Sequence, residues 1–570
     1  MQQDQPQQQK TPQPIAQSSV SFLALGGEED VTRNLYVYEY KDQILIVDCG
    51  LGFPDETMLG VDLLLPDISY LLDVVKTGKK KIVGMVLTHG HEDHIGGLPF
   101  ILPQLPEFPI YASPLTTALS NEKLAEFNLP RSVQEVKFTD SVRKIGDFTV
   151  SFIHVTHSVP DSANIFIKTP AGNFFHGSDF KFDLTPANGQ RTEFDKIAKA
   201  ADEGIMALMS DCLGSDRPGH TPSEYLLGEH FETELRNCQG KFLITTYSSN
   251  LARVQQAVTA AEKLGRKVCF VGRSVVKVKE IGQRMGYLKL KPGTEVPLES
   301  VRNVKNNQLV MLVAGSQGQE NSALTRIANN EHRDVRLDPG DVVVFSSDTI
   351  PGNELSVQSL MEAIVKRGAR IATSEIPGTF HVSGHGSSGD HMLLIALTKP
   401  KYLVPISGTY MHMAAYKSLG LKMGYKPNEI FLVENGQEVS FVGGNARLGR
   451  KIQAKNVFVD EVSGEEVEKF VVRDRERLAK EGIAVIIAEV KSEDGQLATK
   501  PEVILRGSSL NATEDFSTSL MQDITKVLSV NKAPVANWAH IRKLINDAAG
   551  RNLAKKFRTR PLILPIVIEV

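Results

Sequence analysis

The sequence predicts an α/β protein built from several folding units, on three observations. Its 570 residues exceed what one ordinary core serves, and length alone predicts roughly three units. From about residue 205 short apolar runs alternate with helical patterns. Phe242–Thr246 precedes the helical Leu251–Val258, and Val268–Val271, Leu309–Val313 and Val342–Phe345 each end in Gly- or Ser-rich turns. Such repetition indicates a parallel sheet with helices against it and binding loops at the strand C-termini. Third, Ile82–Leu87 reads as a buried strand that opens directly into Thr88-His89-Gly90-His91-Glu92-Asp93-His94.

Along the chain, residues 1–18 are Gln- and Pro-rich, have almost nothing to bury, and are expected to be disordered. Strands are predicted over 21–25, 35–40 and 44–48, the last ending on Asp48-Cys49-Gly50, and again over 148–153 and 163–167. Polar residues over 447–459 predict a linker. A small α+β unit over 460–570 follows, with helices near Glu465–Lys480 and Trp538–Lys556. Its strands are expected near Ile483–Val490, Glu502–Leu505 and Leu562–Val570.

Composition is ordinary for a globular protein, and a net charge of -3 means that any nucleic-acid surface must be local. The four cysteines, Cys49, Cys212, Cys238 and Cys269, form no CxxC pair and are expected to be buried reduced thiols. No apolar run approaches a membrane span, because Pro561–Ile568 is short and broken by proline. A soluble, cytoplasmic protein with no membrane partner is expected.

The stretch from His89 to His94 carries three imidazoles and two carboxylates, a donor set suited to zinc or another divalent ion. The absence of cysteine argues against a closed structural site. An isolated His-x-His is more often a surface or core pair. Here the strand before it and Gly96-Gly97 after it make it the metal loop of a hydrolase. A two-metal site needs further ligands and a shared carboxylate. His157 and Asp179, each following a predicted strand, are the candidates. Asp48 is the residue type of a turn former, but beside a metal loop it reads as a group orienting a ligand histidine.

With His157 and Gly177-Ser178-Asp179-Phe180-Lys181 added, the His89–His94 motif resembles the metallo-β-lactamase superfamily. Further segments narrow the resemblance to the β-CASP branch and, within it, to bacterial ribonuclease J. They are Ser210-Asp211, Arg217–Glu224, Gly272-Arg273-Ser274, Gly315–Gly318, Ile350–Glu354 and His381–His385. The likeness runs from about residue 20 to the C-terminus. It implies an αββα sandwich over 19–205 and 376–446, a β-CASP insertion over 206–375, and a C-terminal domain over 460–570 that favours a homodimer or homotetramer. It also implies two divalent ions, zinc first, with manganese or magnesium as alternatives. One ion falls to His89, His91 and His157, the other to Asp93 and His94, and Asp179 bridges them. Asp93, Asp211 and His385 take catalytic roles, and His381, Val382, Ser383, Gly384 and His385 form a substrate-phosphate loop. Ser249, Asn250, Arg273, Ser274, Gly315 and Ser316 are together suited to a 5′-monophosphate. The implied activity is hydrolysis of single-stranded RNA, 5′-to-3′ with endonucleolytic cleavage as a further mode, in RNA maturation and decay.

The sequence departs from that family at three places, one of them Gln317-Gly318-Gln319-Glu320, where the family has a Gln-Gly-Glu-Pro pattern. Where the family reads Val-His-Gly-Glu-Tyr-Arg, with a histidine completing the second metal shell, this chain has Ile406-Ser407-Gly408-Thr409-Tyr410-Met411. Ser407 is a poor substitute for imidazole, and nothing assigns a rescue role to His412. The segment Gly26-Gly27-Glu28-Glu29-Asp30-Val31-Thr32-Arg33-Asn34 carries two extra carboxylates and lacks two glycines. Two readings follow: a working ribonuclease with a looser second ion, or a weakened RNA-binding paralogue that supports a partner subunit.

Overall fold

The computed structural model describes residues 19–55, 58–350, 352–374, 379–460, 466–491, 497–507, 514–529 and 538–570. The expected disordered tail over 1–18 and the expected junction at 375/376 lie outside these residues. The chain divides into two compact units, one comprising residues 1–53 and 64–457 and the other 54–63 and 458–570.

In the larger unit, alternation of side chains builds a four-layer sandwich. Tyr36, Tyr38, Leu45 and Val47 point to one face of their sheet, and Leu35, Val37, Ile44 and Ile46 to the other. The first face meets Phe152, Ile165, Phe174, Met209 and Val404 of a second sheet across the central core. Its other face is covered by the helices Ser69–Lys76, Leu98–Ile101 and Pro114–Glu126. The second sheet buries Phe175, Leu208 and Leu403 against Phe194–Asp202, Ser388–Thr398 and Tyr410–Lys422. Among the described residues the two sheets have eight and six strands.

A five-stranded sheet, parallel throughout, carries the strand–helix repeats. Its strands run in the order 267–271, 309–313, 242–245, 342–345 and 370–372. Val310, Leu312, Val342 and Val344 pack under the helices Leu226–Asn237, Leu251–Lys263 and Arg273–Met285. Met311, Val313, Val343 and Phe345 pack on the opposite side. Buried on both faces, these strands read as continuous apolar runs. All four cysteines are buried and unpaired, and among the described residues no helix is long and apolar enough to cross a membrane.

The smaller unit has a three-stranded sheet with Ile483–Val490 at its centre, antiparallel to Glu502–Arg506 and parallel to Leu562–Glu569. Ala484, Ile486 and Ala488 pack against Leu520, Ile524, Leu528, Ile541 and Ile545. The helix Glu514–Ser529 was not among the elements expected from sequence. The stretch expected as a linker over 447–459 carries strand residues instead, within Asn445–Lys451 and Asn456–Val459.

Candidate metal and catalytic centre

The candidate residues stand at the ends of successive strands on one edge of the sandwich. His89, His91, Asp93 and His94 follow Lys81–Leu87, and His157 follows Phe148–His154. Three neighbouring parallel strands, Gly172–Gly177, Ala207–Asp211 and Tyr402–Ile406, deliver Asp179, Asp211 and Ser407 side by side. The structure thus gathers residues up to 296 positions apart in the chain, His89 and His385, around one carboxylate.

Asp179 is 3 % exposed and is common to three groups whose donor atoms lie within 4.8 Å of one another: His89–His91–His157–Asp179, Asp93–His94–Asp179 and Asp179–Asp211–His385. Its Oδ2 lies 3.6 Å from His89 Nε2, 3.8 Å from His157 Nε2 and 3.4 Å from His94 Nε2. His91 Nδ1 lies 3.0 Å from His89 Nε2 and 3.2 Å from His157 Nε2. An ion with Zn–N bonds of about 2.0–2.1 Å separates tetrahedral donors by roughly 3.3 Å, which these edges bracket.

The outer ring nitrogens are held. His157 Nδ1–H donates to the Gly384 carbonyl at 2.7 Å, and His94 Nδ1–H donates to Asp48 Oδ2 at 2.8 Å. His89 Nδ1 pairs with Thr88 Oγ1 at 3.1 Å and His91 Nε2 with Ser158 Oγ at 3.2 Å. Asp48 is itself fixed by the Thr88 N–H and hydroxyl, at 2.7 and 2.8 Å. Ligand histidines in metal sites are oriented in this way, with the lone pair of the inner nitrogen directed at the ion.

Protonation follows the same plan. Burial lowers the pKa of His89 and His157 well below the usual imidazole value, with neighbouring imidazoles adding to the effect, and takes His91 down to about 3. Asp179 is held well below the carboxylate range: burial opposes ionisation, but His94 and then His385 outweigh it. His89, His91 and His157 are thus neutral donors around an ionised carboxylate, the state that a divalent cation requires. At His94 burial is outweighed by Asp179, then Asp93 and Asp48, which hold its imidazole well above the usual value until a cation takes the proton's place. His/Asp groups and surroundings therefore fit divalent metal binding.

Beyond this cluster, His385 Nδ1 lies 2.7 Å from Asp211 Oδ2, and its Nε2 lies 3.8 Å from Asp179 Oδ2. Its backbone is pinned by the Arg217–Glu224 segment, where Thr221 Oγ1–H donates to the His385 carbonyl at 2.8 Å. Asp390 completes the clamp, accepting from His220 Nδ1 and the Thr221 N–H, both at 2.9 Å.

The Ser249–Asn250, Arg273–Ser274 and Gly315–Ser316 turns sit at the carboxyl ends of adjacent strands of the parallel sheet, where such folds bind ligands. Arg273 and Ser274 are exposed, and Ser274 accepts from Ser248 Oγ at 3.0 Å. The Asn250 side chain has another role: it caps Leu251–Lys263 by accepting from the Arg253 N–H at 3.0 Å. Tyr247, from the same turn, brings its ring within 6.4 Å of the His91 ring and so reaches the metal cluster.

Sequence reasoning missed Arg253, which is 1 % exposed and anchors the His381–His385 loop. It donates to His381 Nδ1 at 2.8 Å and to the Val382 carbonyl at 3.0 Å, and pairs with Glu224. Arg253→Ala would leave Glu224 buried without this partner. Unfolding free energy is expected to fall by about 3–5 kcal/mol, measured by urea denaturation. A loss under about 1 kcal/mol would show that the pair carries no such weight.

Ser407 lies at φ +53° and is 3 % exposed. Its Oγ is 3.0 Å from Tyr36 Oη and donates to Asn34 Oδ1 at 3.0 Å, and Asn34 Nδ2 lies 3.1 Å from His94 Nε2. His412 is in none of the ligand groups, and its Nδ1 pairs with Thr409 Oγ1 at 2.9 Å at the start of Tyr410–Lys422.

A His/Asp cluster fit for divalent metal at the edge of an αββα sandwich, facing a parallel α/β insertion, defines a metal-dependent nuclease of the metallo-β-lactamase and β-CASP type. Family models agree: the metallo-beta-lactamase superfamily matches residues 29–184, the ribonuclease J beta-CASP domain 239–364 and the ribonuclease J C-terminal domain 470–570. Similar proteins include ribonuclease J2 of Bacillus subtilis, 34% identical over 97% of this chain and 99% of that protein. Ribonuclease J 1 of Streptococcus pyogenes is 34% identical over 97% and 98% of the two chains. Ribonuclease J of Synechocystis is 33% identical over 96% and 86%. A solved Enterococcus faecalis protein of unknown function shares the fold at a TM-score of 0.52, with 18% identity over 75% of this chain and 100% of that one. The chain belongs to the ribonuclease J family and is a metal-dependent ribonuclease.

Proposed function

We propose that this ribonuclease degrades and matures single-stranded RNA in the cytoplasm, acting 5′-to-3′ from a 5′-monophosphate and cleaving internally as a second mode. The observation that carries this reading is the placing of the anion-suited turns at 248–250, 272–274 and 315–316 on the sheet edge from which Tyr247 reaches the metal cluster. We assign His89, His91 and His157 to one ion, Asp93 and His94 to the second, and Asp179 to both. Zinc suits the imidazole-rich group best, with manganese or magnesium as alternatives. Residues 460–570 are assigned to self-association as a dimer or tetramer, or to pairing with a paralogous subunit.

Held by these residues, divalent ions would supply Lewis acidity for activating water and for offsetting charge on the phosphoryl oxygens. The protein's own residues do the rest. Gly384, through its carbonyl, and Asp48 set the tautomers of His157 and His94. His385, oriented by Asp211, holds a proton on the side facing Asp179 and gives it to the departing oxygen. Arg253 fixes the His381–Val382 end of the loop that carries His385.

Ser407 supports a second reading, a weakened paralogue that binds RNA for a partner. One experiment separates the two: Mn²⁺- or Zn²⁺-dependent cleavage of a 3′-labelled, 5′-monophosphorylated single-stranded RNA, wild type beside Ser407→His. Processive shortening by the wild type, with at most a few-fold gain in Ser407→His, is the expected result. No cleavage by the wild type, with activity appearing in the variant, would establish the weakened paralogue instead.

A further inference from the structure

The two ligand groups are unequal. The first offers four residues, the second only Asp93, His94 and Asp179. A divalent ion takes four or more donors, so water must complete the second shell. The open side of that shell is lined by Asn34 beside His94 Nε2, with Tyr36 and Ser407 bonded to Asn34. None of these three carries a charge to offset the ion.

Glu28 stands behind them. The segment that begins at Gly26 lies against the Ser407–Gly408 turn: the Ser407 N–H donates to the Gly27 carbonyl at 2.8 Å, and Glu28 pairs with Gly408 as an isolated bridge. The approach is tight, since a Cβ on Gly27 would fall 2.2 Å from Tyr36 Oη and 2.5 Å from Asn34 Oδ1. Glu28 is 1 % exposed, and among the described residues neither of its carboxyl oxygens has a hydrogen-bond partner. Burial and then Glu28 raise the Tyr36 hydroxyl, so the carboxyl lies near the Tyr36–Ser407 contact, and burial, then Glu29, raise Glu28 itself well above the usual carboxylate range. Outside the turn, residue 28 bonds through its main chain to Asn435, a contact that any side chain would permit. Among the described residues nothing explains a carboxyl here, and burying one without partners is costly.

We propose that the Glu28 carboxyl serves the second ion as an outer ligand, accepting a hydrogen bond from water in that ion's shell and standing in for the donor that Ser407 does not supply. Glu28 is absent from the group of direct ligands, which is why its reach is through water. With Glu28 included, the second site is rich in carboxylate and water oxygens, a set that suits Mn²⁺ or Mg²⁺ better than zinc, unlike the imidazole-rich first site. The inference rests on the two-ion reading above.

The test is calorimetric titration of Mn²⁺ alone into the chelator-stripped full chain, wild type beside Glu28→Gln and Glu28→Leu. Wild type is expected to show two binding events. Both variants are expected to keep the first event unchanged and to weaken the second by about 10-fold, the scale of lost outer partners in metal sites. Glu28→Leu guards against misfolding, since removing an unpartnered buried carboxyl should raise the melting temperature of the metal-free protein. Two events with the second unchanged in both variants would overturn the role of Glu28 alone. A single event in the wild type would remove the two-ion reading and this inference with it.

Discussion

Asp179→Ala is expected to abolish RNA cleavage, lowering kcat by about 10³-fold or more at saturating metal. The reason is its shared position: one oxygen lies within 3.8 Å of the inner nitrogens of His89, His94 and His157, and the residue belongs to every candidate ligand group. Removing it leaves the first group with three neutral imidazoles and no anion. The second group is reduced to Asp93 and His94. Metal content should therefore fall together with activity, as atomic emission on the dialysed protein would show. The fold should survive, because Asp179 sits in a loop and its buried neighbours Phe180 and Phe182 hold the segment by apolar packing. Circular dichroism matching the wild type, with no bound metal and no cleavage, is the expected combination. Retention of cleavage within about tenfold would remove Asp179 from the centre of the mechanism.

What the sequence made legible depended on how locally each feature is encoded. His89, His91, Asp93 and His94 fall within six residues after one strand, so their convergence needs no tertiary knowledge. His157 and Asp179 were accessible because a sheet delivers its strand ends to one edge, and the structure places both against that cluster. The Ser407–Asn34–Tyr36 contacts join residues more than 370 positions apart and left no periodic trace. Arg253 sits within a helical pattern, where an arginine reads as solvated; only the fold turns it inward onto Glu224. Asn250 was read for its polarity, whereas a helix start claims its side chain first. The strand Asn445–Lys451 is largely exposed, so its composition resembles a linker although the backbone pairs with Gln437–Val442. The helix Glu514–Ser529 did carry a signal: Leu520, Ile524 and Leu528 recur at helical spacing and are fully buried.

The pH dependence of catalysis should report on the Asp211–His385 pair. Burial pushes the His385 imidazole down, but Asp211 and then Asp179 overcome it, raising its pKa to about 9. The protonated form required of a general acid is therefore complete at neutral pH and is lost as pH rises through that value. Bound cations oppose the proton and bring this limit down, in wild type and variants alike. Asp211→Asn removes the strongest raising charge, at 2.7 Å, while keeping a hydrogen-bonding group of the same shape. Its alkaline limb in kcat/KM is accordingly expected at lower pH than that of the wild type. The loss of rate should then be larger at pH 8 than at pH 6, because acid restores the proton. His385→Ala should instead lose about 10²–10⁴-fold at pH values below the wild-type limb and show no alkaline limb of this origin, since no group remains to titrate. The contrast separates proton donation from mere shape: a residue that only props the loop would lower the rate of both variants by a pH-independent factor. Superimposable profiles for wild type and Asp211→Asn would assign the departing proton to a group other than His385.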